Sequence, residues 1–208
     1  METKSSTHTK FDLPSRFISP LKSEILSYEF QPALADGQFV FDGSDYSLFT
    51  MELNKVLDWL MIHDFPKAIE KEPCNTPILL FVPNFSVKHL LFHYDGTESS
   101  AKIIDKFLTL FQNLIRGSKA TIISPSFIPK SRLKEEQELI QKISAATSET
   151  SFIKFNFLRI GDFWSYAVQH KCTLLVTTKT YQKELSNVLF NFYKGALWDD
   201  QLSFYLSL

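Results

Sequence analysis

The strongest constraint on the fold is a regular alternation of strand-like and helix-like segments from Lys88 to the end of the sequence. Short apolar runs alternate with stretches in which apolar residues recur every three or four positions, the spacing of a helix with one buried face. Strands joined by helices form parallel sheets, because a parallel connection needs a long crossover. The sequence therefore predicts an α/β fold with an open, mostly parallel sheet and helices on both faces. The predicted strands are 88–94, 120–124, 152–160, 173–176 and 202–206. The predicted helices are 98–116, 131–146, a short helix that Asp162 caps and that ends at 170–171, and 182–193.

The residues before position 86 divide into two expected segments. Residues 1–32 are polar or interrupted by prolines, and we expect an irregular lead-in there. Residues 33–85 hold at most two strands and one long helix, and we expect a partial α/β extension there. Alone, this segment could not bury its apolar face, and we expect it to pack on the complete domain formed by residues 86–208. The elements expected before position 86 are a short helix at 21–30, a strand at 38–41, a helix at 48–62 and a buried strand at 77–83.

Charge and composition exclude several classes of protein. The 208 residues carry a formal net charge of -1 and the pI is about 6.5, so no broad basic surface for a nucleic acid is expected. Two cysteines are too few for a disulfide framework. Residues 1–10 lack the apolar core of a signal peptide, and no stretch reaches the length of a membrane span. We therefore expect a cytoplasmic protein without nucleic-acid or membrane partners.

A sharp strand-to-helix transition at Asp95-Gly96-Thr97 marks the place where a site would lie. The apolar run Leu90–Phe92 precedes it, and a helical pattern follows at once. In an open α/β sheet such a turn lies at the carboxyl edge, where an acidic residue and free backbone N–H groups can bind ligands. Asp95 and Thr97 have a second interpretation, since Asp before Gly is a common turn residue and Thr is a common helix cap. Both interpretations stay open at this point.

No catalytic constellation accompanies this edge. No nucleophile motif, Cys–His pairing or pair of strand-end carboxylates stands out in the sequence. His89 and His93 would lie about 13 Å apart along one strand, too far for one metal ion. Phe163 and Trp164 are interpreted as core residues or, alternatively, as aromatic anchors of an interface. We therefore expect neither enzyme activity nor a metal site.

Segments from residue 77 onward resemble the universal stress protein family, in particular its tandem-domain members. The strand at 77–84 is similar to the last strand of a first domain, and Lys88–Ser100 is similar to the opening strand of a second, with its Asp-then-Ser/Thr turn. The resemblance implies a five-stranded sheet of order 3-2-1-4-5, a truncated first domain before residue 86, and a homodimer that forms near the last strand. Further similar segments are 119–123 for the second strand, 157–162 for the third strand and its turn, 167–176 for a helix and the fourth strand, and 201–205 for the closing strand.

The resemblance also bears on nucleotide binding. ATP-binding members place an Asp at the end of the first strand, which Asp95 matches, and carry a glycine-rich phosphate loop after the fourth strand. Residues 176–185 take the place of that loop and contain no glycine, so their Cβ atoms would keep the backbone away from phosphates. We expect no cofactor, and no ATP bound in the family manner. If a pocket without this loop binds a ligand, we expect the contacts to come from Asp95, Gly96, Thr97, Ser124, Thr177, Thr178 and Lys179. Lys183 would be a further source of positive charge.

Three functional hypotheses follow. The first is a non-enzymatic, universal-stress-type regulatory or adaptor protein with a degenerate nucleotide site, acting through homodimerisation and contacts with another protein. Leu202, Phe204 and Leu206 of the last strand would form its pairing edge. The second is a sensor that holds an adenine nucleotide or another metabolite in the pocket beside Asp95. The third is a hydrolase or nucleotidyl-transfer enzyme, which only fold analogy supports.

Overall fold

The computed structural model describes residues 11–21, 46–63, 65–194 and 201–208. Within these ranges the chain forms an α/β fold in which an open, mostly parallel sheet of eight strands is flanked by helices. No helix in this part of the chain is both long enough and apolar enough to cross a membrane. The strands are β1 (Ser19–Leu21), β2 (Leu48–Glu52), β3 (Ile78–Phe81), β4 (His89–His93), β5 (Lys119–Ser124), β6 (Glu149–Lys154), β7 (Leu174–Thr178) and β8 (Ser203–Ser207). The helices are α1 (Leu53–Met61), α2 (Glu98–Phe111), α3 (Leu133–Ala146), α4 (Ile160–Gln169) and α5 (Gln182–Lys194), with short 3₁₀ turns at Ser15–Phe17, Lys130–Arg132 and Lys179–Tyr181.

The order of the strands places a reversal of winding in the middle of the sheet. The order is β1-β2-β3-β8-β7-β4-β5-β6. The five strands from β4 to β8 pair in parallel and follow the predicted order 3-2-1-4-5, which is confirmed. After β4 the chain adds β5 and β6 on one side, and then β7 and β8 on the other. The winding therefore reverses between β4 and β7, the kind of place where open α/β sheets bind ligands.

Each face of the sheet has its own apolar core. Successive side chains of a strand point to opposite faces, so Leu91 and Phe92 of β4 belong to different cores. Leu91 packs with residues of α1, α4 and α5, while Phe92 packs with residues of α2 and α3 such as Phe107. Because both faces are covered, the central strands are apolar at almost every position, which is why they appear in the sequence as continuous apolar runs.

The described N-terminal strands extend the same sheet. β1 pairs antiparallel with β2, and β2 pairs in parallel with β3. β3 then pairs antiparallel with β8, the last strand of the chain. The described part of the segment before residue 86 thus shares both apolar cores with the rest of the chain. The division into segments 1–32, 33–85 and 86–208 stays a prediction.

The last strand has no free edge for a second copy of the chain, so the predicted dimer interface at this strand is wrong. β8 is hydrogen-bonded to β7 on one side and to β3 on the other. Leu202, Phe204 and Leu206 are at most 1% exposed and pack in the core beneath α1, α4 and α5. The sequence reasoning assigned this edge to a second copy, but strand β3 of the same chain fills it.

The predicted helix at 48–62 begins five residues too early. Leu48–Glu52 form strand β2, and the helix starts at Leu53. The first four side chains of β2 are all buried, because the strand lies between β1 and β3 with a core on each face. Burial on both faces outweighs the helical spacing of the apolar residues, as tertiary context often does.

The predicted strand at 152–160 is also shifted. β6 ends at Lys154, and the chain then leaves the sheet so that the rings of Phe155 and Phe157 stack with centroids 5.3 Å apart. Asp162, predicted as the cap of the next helix, lies in its first turn, where its carboxylate accepts hydrogen bonds from the backbone N–H groups of Leu158 and Arg159. The predicted strand at 38–41 and all but Leu21 of the predicted helix at 21–30 lie outside the described residues.

Candidate functional site

A cavity of about 160 Å³ lies at the carboxyl ends of β4 and β5, beside the point where the winding reverses. Its walls are mostly aromatic and include Phe155, Phe157, Phe163 and Tyr181, with His93 as a polar group among them. Pockets for drug-sized ligands usually span about 300–1,000 Å³. This cavity is smaller, so its volume suits a single ring system rather than a whole nucleotide.

The register of two parallel strands brings His93 of the cavity wall together with Thr177. β4 and β7 pair so that Phe92 lies beside Val176, which sets the next residues, His93 and Thr177, at the same level. His93 Nδ1 and Thr177 Oγ1 are 2.9 Å apart and share a hydrogen bond. His93 is 6% exposed and Thr177 is 1% exposed. Thr177, a predicted ligand, is therefore a partner of His93.

Two aromatic rings hold the His93 imidazole in place. Its centroid lies 4.1 Å from that of Phe163 on α4 and 5.5 Å from that of Tyr181 in the turn after β7. Burial lowers the pKa of His93 to about 4, although the charge of Asp95 acts in the opposite direction. The imidazole is therefore neutral at pH 7, with one nitrogen that donates and one that accepts. No described residue bonds Nε2, so this atom is available to a ligand in the cavity.

Asp95 borders the cavity, but one of its carboxylate oxygens is used at the start of α2. Oδ1 accepts hydrogen bonds from the Thr97 backbone N–H at 2.9 Å, the Thr97 hydroxyl at 2.6 Å and the Ser100 hydroxyl at 2.5 Å. Thr97 in turn caps α2 by accepting from the Ser100 N–H at 3.2 Å. Burial raises the pKa of Asp95, but the hydrogen bonds from Ser100 and Thr97 outweigh it and hold the pKa below its ordinary value. The capping interpretation accounts for Thr97 and for one oxygen of Asp95.

Gly96 is required by the turn itself. Its φ is 82°, in the left-handed region that side chains rarely adopt. A Cβ at this position would also lie 2.7 Å from Cγ2 of Ile128, too close for any real contact. These two constraints explain the glycine without a phosphate.

The Ser124 hydroxyl, another predicted ligand group, is engaged on the other face of the sheet. Ser124 borders the cavity and follows Ile122 of the α2–α3 core by two residues, so its side chain points toward α3. Its hydroxyl donates to Glu136 Oε1 at 2.5 Å and accepts from Lys154 Nζ at 3.1 Å. Lys154 and Glu136 also form an ion pair. This hydroxyl stabilises the packing of α3 rather than facing His93.

Lys179 lies completely inside the protein. Its Nζ donates to Glu70 Oε1 at 2.9 Å, to the Cys74 carbonyl at 2.8 Å and to the Thr76 carbonyl at 2.7 Å. The side chains of Lys179 and Glu70 are both 0% exposed. An ammonium group has three hydrogens, and all three are used here. Lys179 therefore cannot supply charge to a phosphate, which corrects its predicted role as a ligand.

The remaining predicted residues lie around the turn after β7. The Thr178 hydroxyl accepts from the Thr180 N–H at 3.2 Å and so caps the 3₁₀ turn Lys179–Tyr181. Lys183 is exposed on α5. The segment that would be glycine-rich in an ATP site is thus a capped turn that places Tyr181 in the cavity wall.

Sequence reasoning missed the residues that form most of the cavity. His93 was considered only as a metal ligand, and in the described ranges no group of three His, Cys, Asp or Glu residues could hold a metal ion. One signal was present: His93 ends the same strand that leads into Asp95, at the predicted carboxyl edge. Phe157 and Phe163 gave no signal of a cavity, because their approach to each other depends on where β6 ends. The arrangement offers a neutral imidazole, a carboxylate and aromatic rings, which is the chemistry of a binding site.

Comparisons with known proteins give little beyond this. No protein-family profile matches the sequence, and no curated protein matches it significantly. Among solved structures, part of the fold is similar to the crystal structure of protein Rv1636 from Mycobacterium tuberculosis H37Rv. The TM-score is 0.34 and the sequence identity 18%, over 43% of this chain and 69% of that one. A likeness this low carries no argument about family or function.

Proposed function

We propose that this protein is a non-enzymatic regulatory protein of the universal stress type that binds a small, flat, phosphate-free molecule in the cavity beside His93. The observation that carries the proposal is the His93 imidazole, which is neutral, packed against Phe163 and Tyr181, and bonded through Nδ1 alone among the described residues. An uncharged ring nitrogen among aromatic rings recognises the edge of a heterocycle while the rings stack on its face. A nucleobase fits this description, either free or as the base of a nucleoside.

The order of strands supports assignment to the universal stress type. β4 to β8 follow the order 3-2-1-4-5, and the first of these strands leads into Asp95 and a capped helix. These features agree with the sequence segments that resemble the family.

Several observations argue against phosphates in this site. Lys179, at the end of β7, donates all three of its ammonium hydrogens to Glu70 and two carbonyl groups. At the start of α2, Asp95 accepts from the Thr97 N–H, and Thr97 accepts from the Ser100 N–H. The turn after β7 has no glycine, so the backbone cannot wrap an anion there. A phosphate chain would meet no positive charge in the cavity wall.

The proposal is tested by isothermal titration of the purified protein with adenosine, AMP and ATP, followed by other nucleosides. We expect a nucleoside to bind, and we expect each added phosphate to weaken binding or leave it unchanged. The double variant His93→Phe/Thr177→Val keeps the ring and the shape of the pair but removes both nitrogens. It should weaken nucleoside binding roughly tenfold, the value of one hydrogen bond of about 1.4 kcal/mol.

A matched control exists at the other end of β4. His89 Nε2 and Thr121 Oγ1 are 3.1 Å apart, a second His–Thr pair that is remote from the cavity. His89→Phe/Thr121→Val should leave nucleoside binding unchanged. If ATP binds more tightly than adenosine, or if no nucleoside binds at all, the proposed ligand class is wrong.

The adaptor hypothesis keeps one observation in its favour. Phe127 and Leu158 are 93% and 81% exposed, and they follow β5 and β6 at the same carboxyl edge as the cavity. Large exposed apolar side chains on one edge are typical of a protein contact. In this second proposal, Phe127→Ser/Leu158→Ser abolishes cross-linking to a partner that the wild-type protein retains. A control variant, Ile62→Ser, changes a residue that is 80% exposed at the end of α1 and should retain the partner.

A further inference from the structure

A thiol, an amine and a carboxylate meet where the loop before β3 contacts the turn after β7. Lys179 Nζ lies 3.7 Å from Cys74 Sγ. Glu70 Oε1 accepts from Cys74 Sγ at 3.2 Å and from Lys179 Nζ at 2.9 Å. The other carboxylate oxygen, Oε2, is buried and has no hydrogen-bond partner among the described residues. The three groups therefore lie in contact with one another, and Glu70 Oε2 can still accept a hydrogen bond or a proton.

The two cysteines differ in their surroundings. Cys74 is half-buried, and its sulfur contacts both the ammonium of Lys179 and the carboxylate of Glu70. Cys172 is 2% exposed, and burial raises the pKa of its thiol to about 12. Cys172 therefore stays a thiol and serves as an internal control for the reactivity of Cys74.

We infer that peroxide converts Cys74 and Lys179 into a covalent cross-link in which Sγ is bonded directly to Nζ. In the first step the Cys74 sulfur attacks one oxygen of hydrogen peroxide, the O–O bond breaks, and a sulfenic acid and one water form. In the second step Nζ gives up a proton to the Glu70 carboxylate, and its lone pair attacks the sulfur. The S–O bond breaks, and the hydroxyl group leaves as a second water.

The step balances in atoms and electrons. Sulfur loses two electrons, and one peroxide molecule takes them up and becomes two waters. The thiol and the ammonium together lose three hydrogens, of which two enter the waters and one is held by Glu70. Sulfenic acids are known to condense with nitrogen to such S–N bonds. The fixed position of Nζ favours this outcome over further oxidation, because the two reacting atoms are already close to the separation of about 3–3.5 Å that reaction needs.

The cross-link ties two parts of the chain together. Residues 70–76 lead into β3, and Lys179 begins the turn that carries Tyr181. The S–N bond fixes this turn to the loop and removes the charge of the ammonium group from the interior. It forms whether or not the cavity takes a ligand, so its test is independent of the proposed function.

The test is peptide mapping of the full chain after treatment with hydrogen peroxide. Remaining thiols are alkylated, the protein is digested without reductant, and tandem mass spectrometry identifies joined peptides. We expect the Cys74 peptide joined to the Lys179 peptide, with a mass lower by two hydrogens than the sum of the two, and we expect dithiothreitol to separate them. The joined pair should be lost in Cys74→Ser.

The variant Cys172→Ser separates this cross-link from a disulfide, which would also remove two hydrogens. The joined pair must persist in Cys172→Ser, and a signal that disappears there would overturn the inference. Lys106 gives a second check, because its Nζ lies 2.6 Å from the neighbouring Asn75 carbonyl. Attachment at Lys106, or Cys74 recovered only as sulfenic or sulfinic acid, would also overturn it.

Discussion

Thr177 and Lys179 lie two residues apart at the end of β7, and they belong to two buried polar centres of opposite character. Thr177 joins His93 in a pair that carries no charge at neutral pH. Lys179 joins Glu70 in an ion pair whose side chains are both 0% exposed. The same segment of chain thus contributes to a neutral pair beside the cavity and to a charged pair beneath the loop before β3.

The difference between the centres follows from their partners. His93 has no counter-charge in contact, so burial favours its neutral form and leaves one ring nitrogen unbonded by described residues. Lys179 has a carboxylate and two carbonyl groups around it, which satisfy all three hydrogens of its ammonium group. A buried group that is fully satisfied holds the fold together. A buried group that is only partly satisfied is the better candidate for binding.

The largest expected effect comes from removing the amine of the charged centre. Lys179→Met leaves the Glu70 carboxylate buried without its partner and should lower the free energy of unfolding by about 3–5 kcal/mol. Urea denaturation measures the change. Lys183→Met, an exposed lysine four residues later, should change the value by less than about 0.5 kcal/mol. If Lys179→Met is as mild as this control, Lys179 and Glu70 do not form the buried pair described here.

The neutral centre should make stability depend on pH. The folded pKa of His93 is about 4 against 6.5 for the ordinary value, so between these values the unfolded chain binds more protons. Stability is then full above pH 6.5 and is lost as the pH falls toward 4, by about 2 kcal/mol between pH 7 and pH 5. Denaturation at the two pH values should show this loss in the wild type, and His93→Phe/Thr177→Val should reduce it. An equal loss in both proteins would mean that other groups cause it.

The smallest expected effect concerns Asp95, the charge nearest to the neutral centre. Asp95→Ala removes the acceptor for Thr97 and Ser100 and should cost about 1 kcal/mol of stability, as lost helix caps usually do. Asp95→Asn removes the charge that raises the pKa of His93, so that pKa should fall further in an NMR titration. Ser99→Ala, an exposed position in the same turn, is the control and should change neither quantity. A rise in the pKa of His93 would contradict the electrostatic coupling.

Local patterns in the sequence predict much of this fold. The strand order of β4 to β8 was predicted through a family resemblance, and most helices and strands of that region lie close to their predicted positions. The errors share a physical cause. Leu48–Glu52 have helical spacing but form a strand because β1 and β3 enclose them, and Leu202–Leu206 seemed to be a free edge because nothing local indicates that β3 pairs with them.

The candidate site was less predictable, for the same reason. Asp95 and Gly96 were found because a strand-to-helix turn has a local signature. The contact of Lys179 with Glu70 spans 109 positions of sequence, and that of His93 with Thr177 spans 84. No periodicity or motif encodes such pairs, so the sequence assigned both Lys179 and Thr177 to a ligand. Which polar groups are satisfied inside the protein is decided by packing between distant segments.

The most direct test of the central claim is mass spectrometry of small molecules released from the purified, denatured protein, with their amount per chain. We expect one small aromatic molecule without phosphate, at close to one per chain. We expect its amount per chain to fall in His93→Phe/Thr177→Val and to stay unchanged in His89→Phe/Thr121→Val. A nucleoside triphosphate at one per chain, or a molecule that both variants retain equally, would contradict a binding site built around His93.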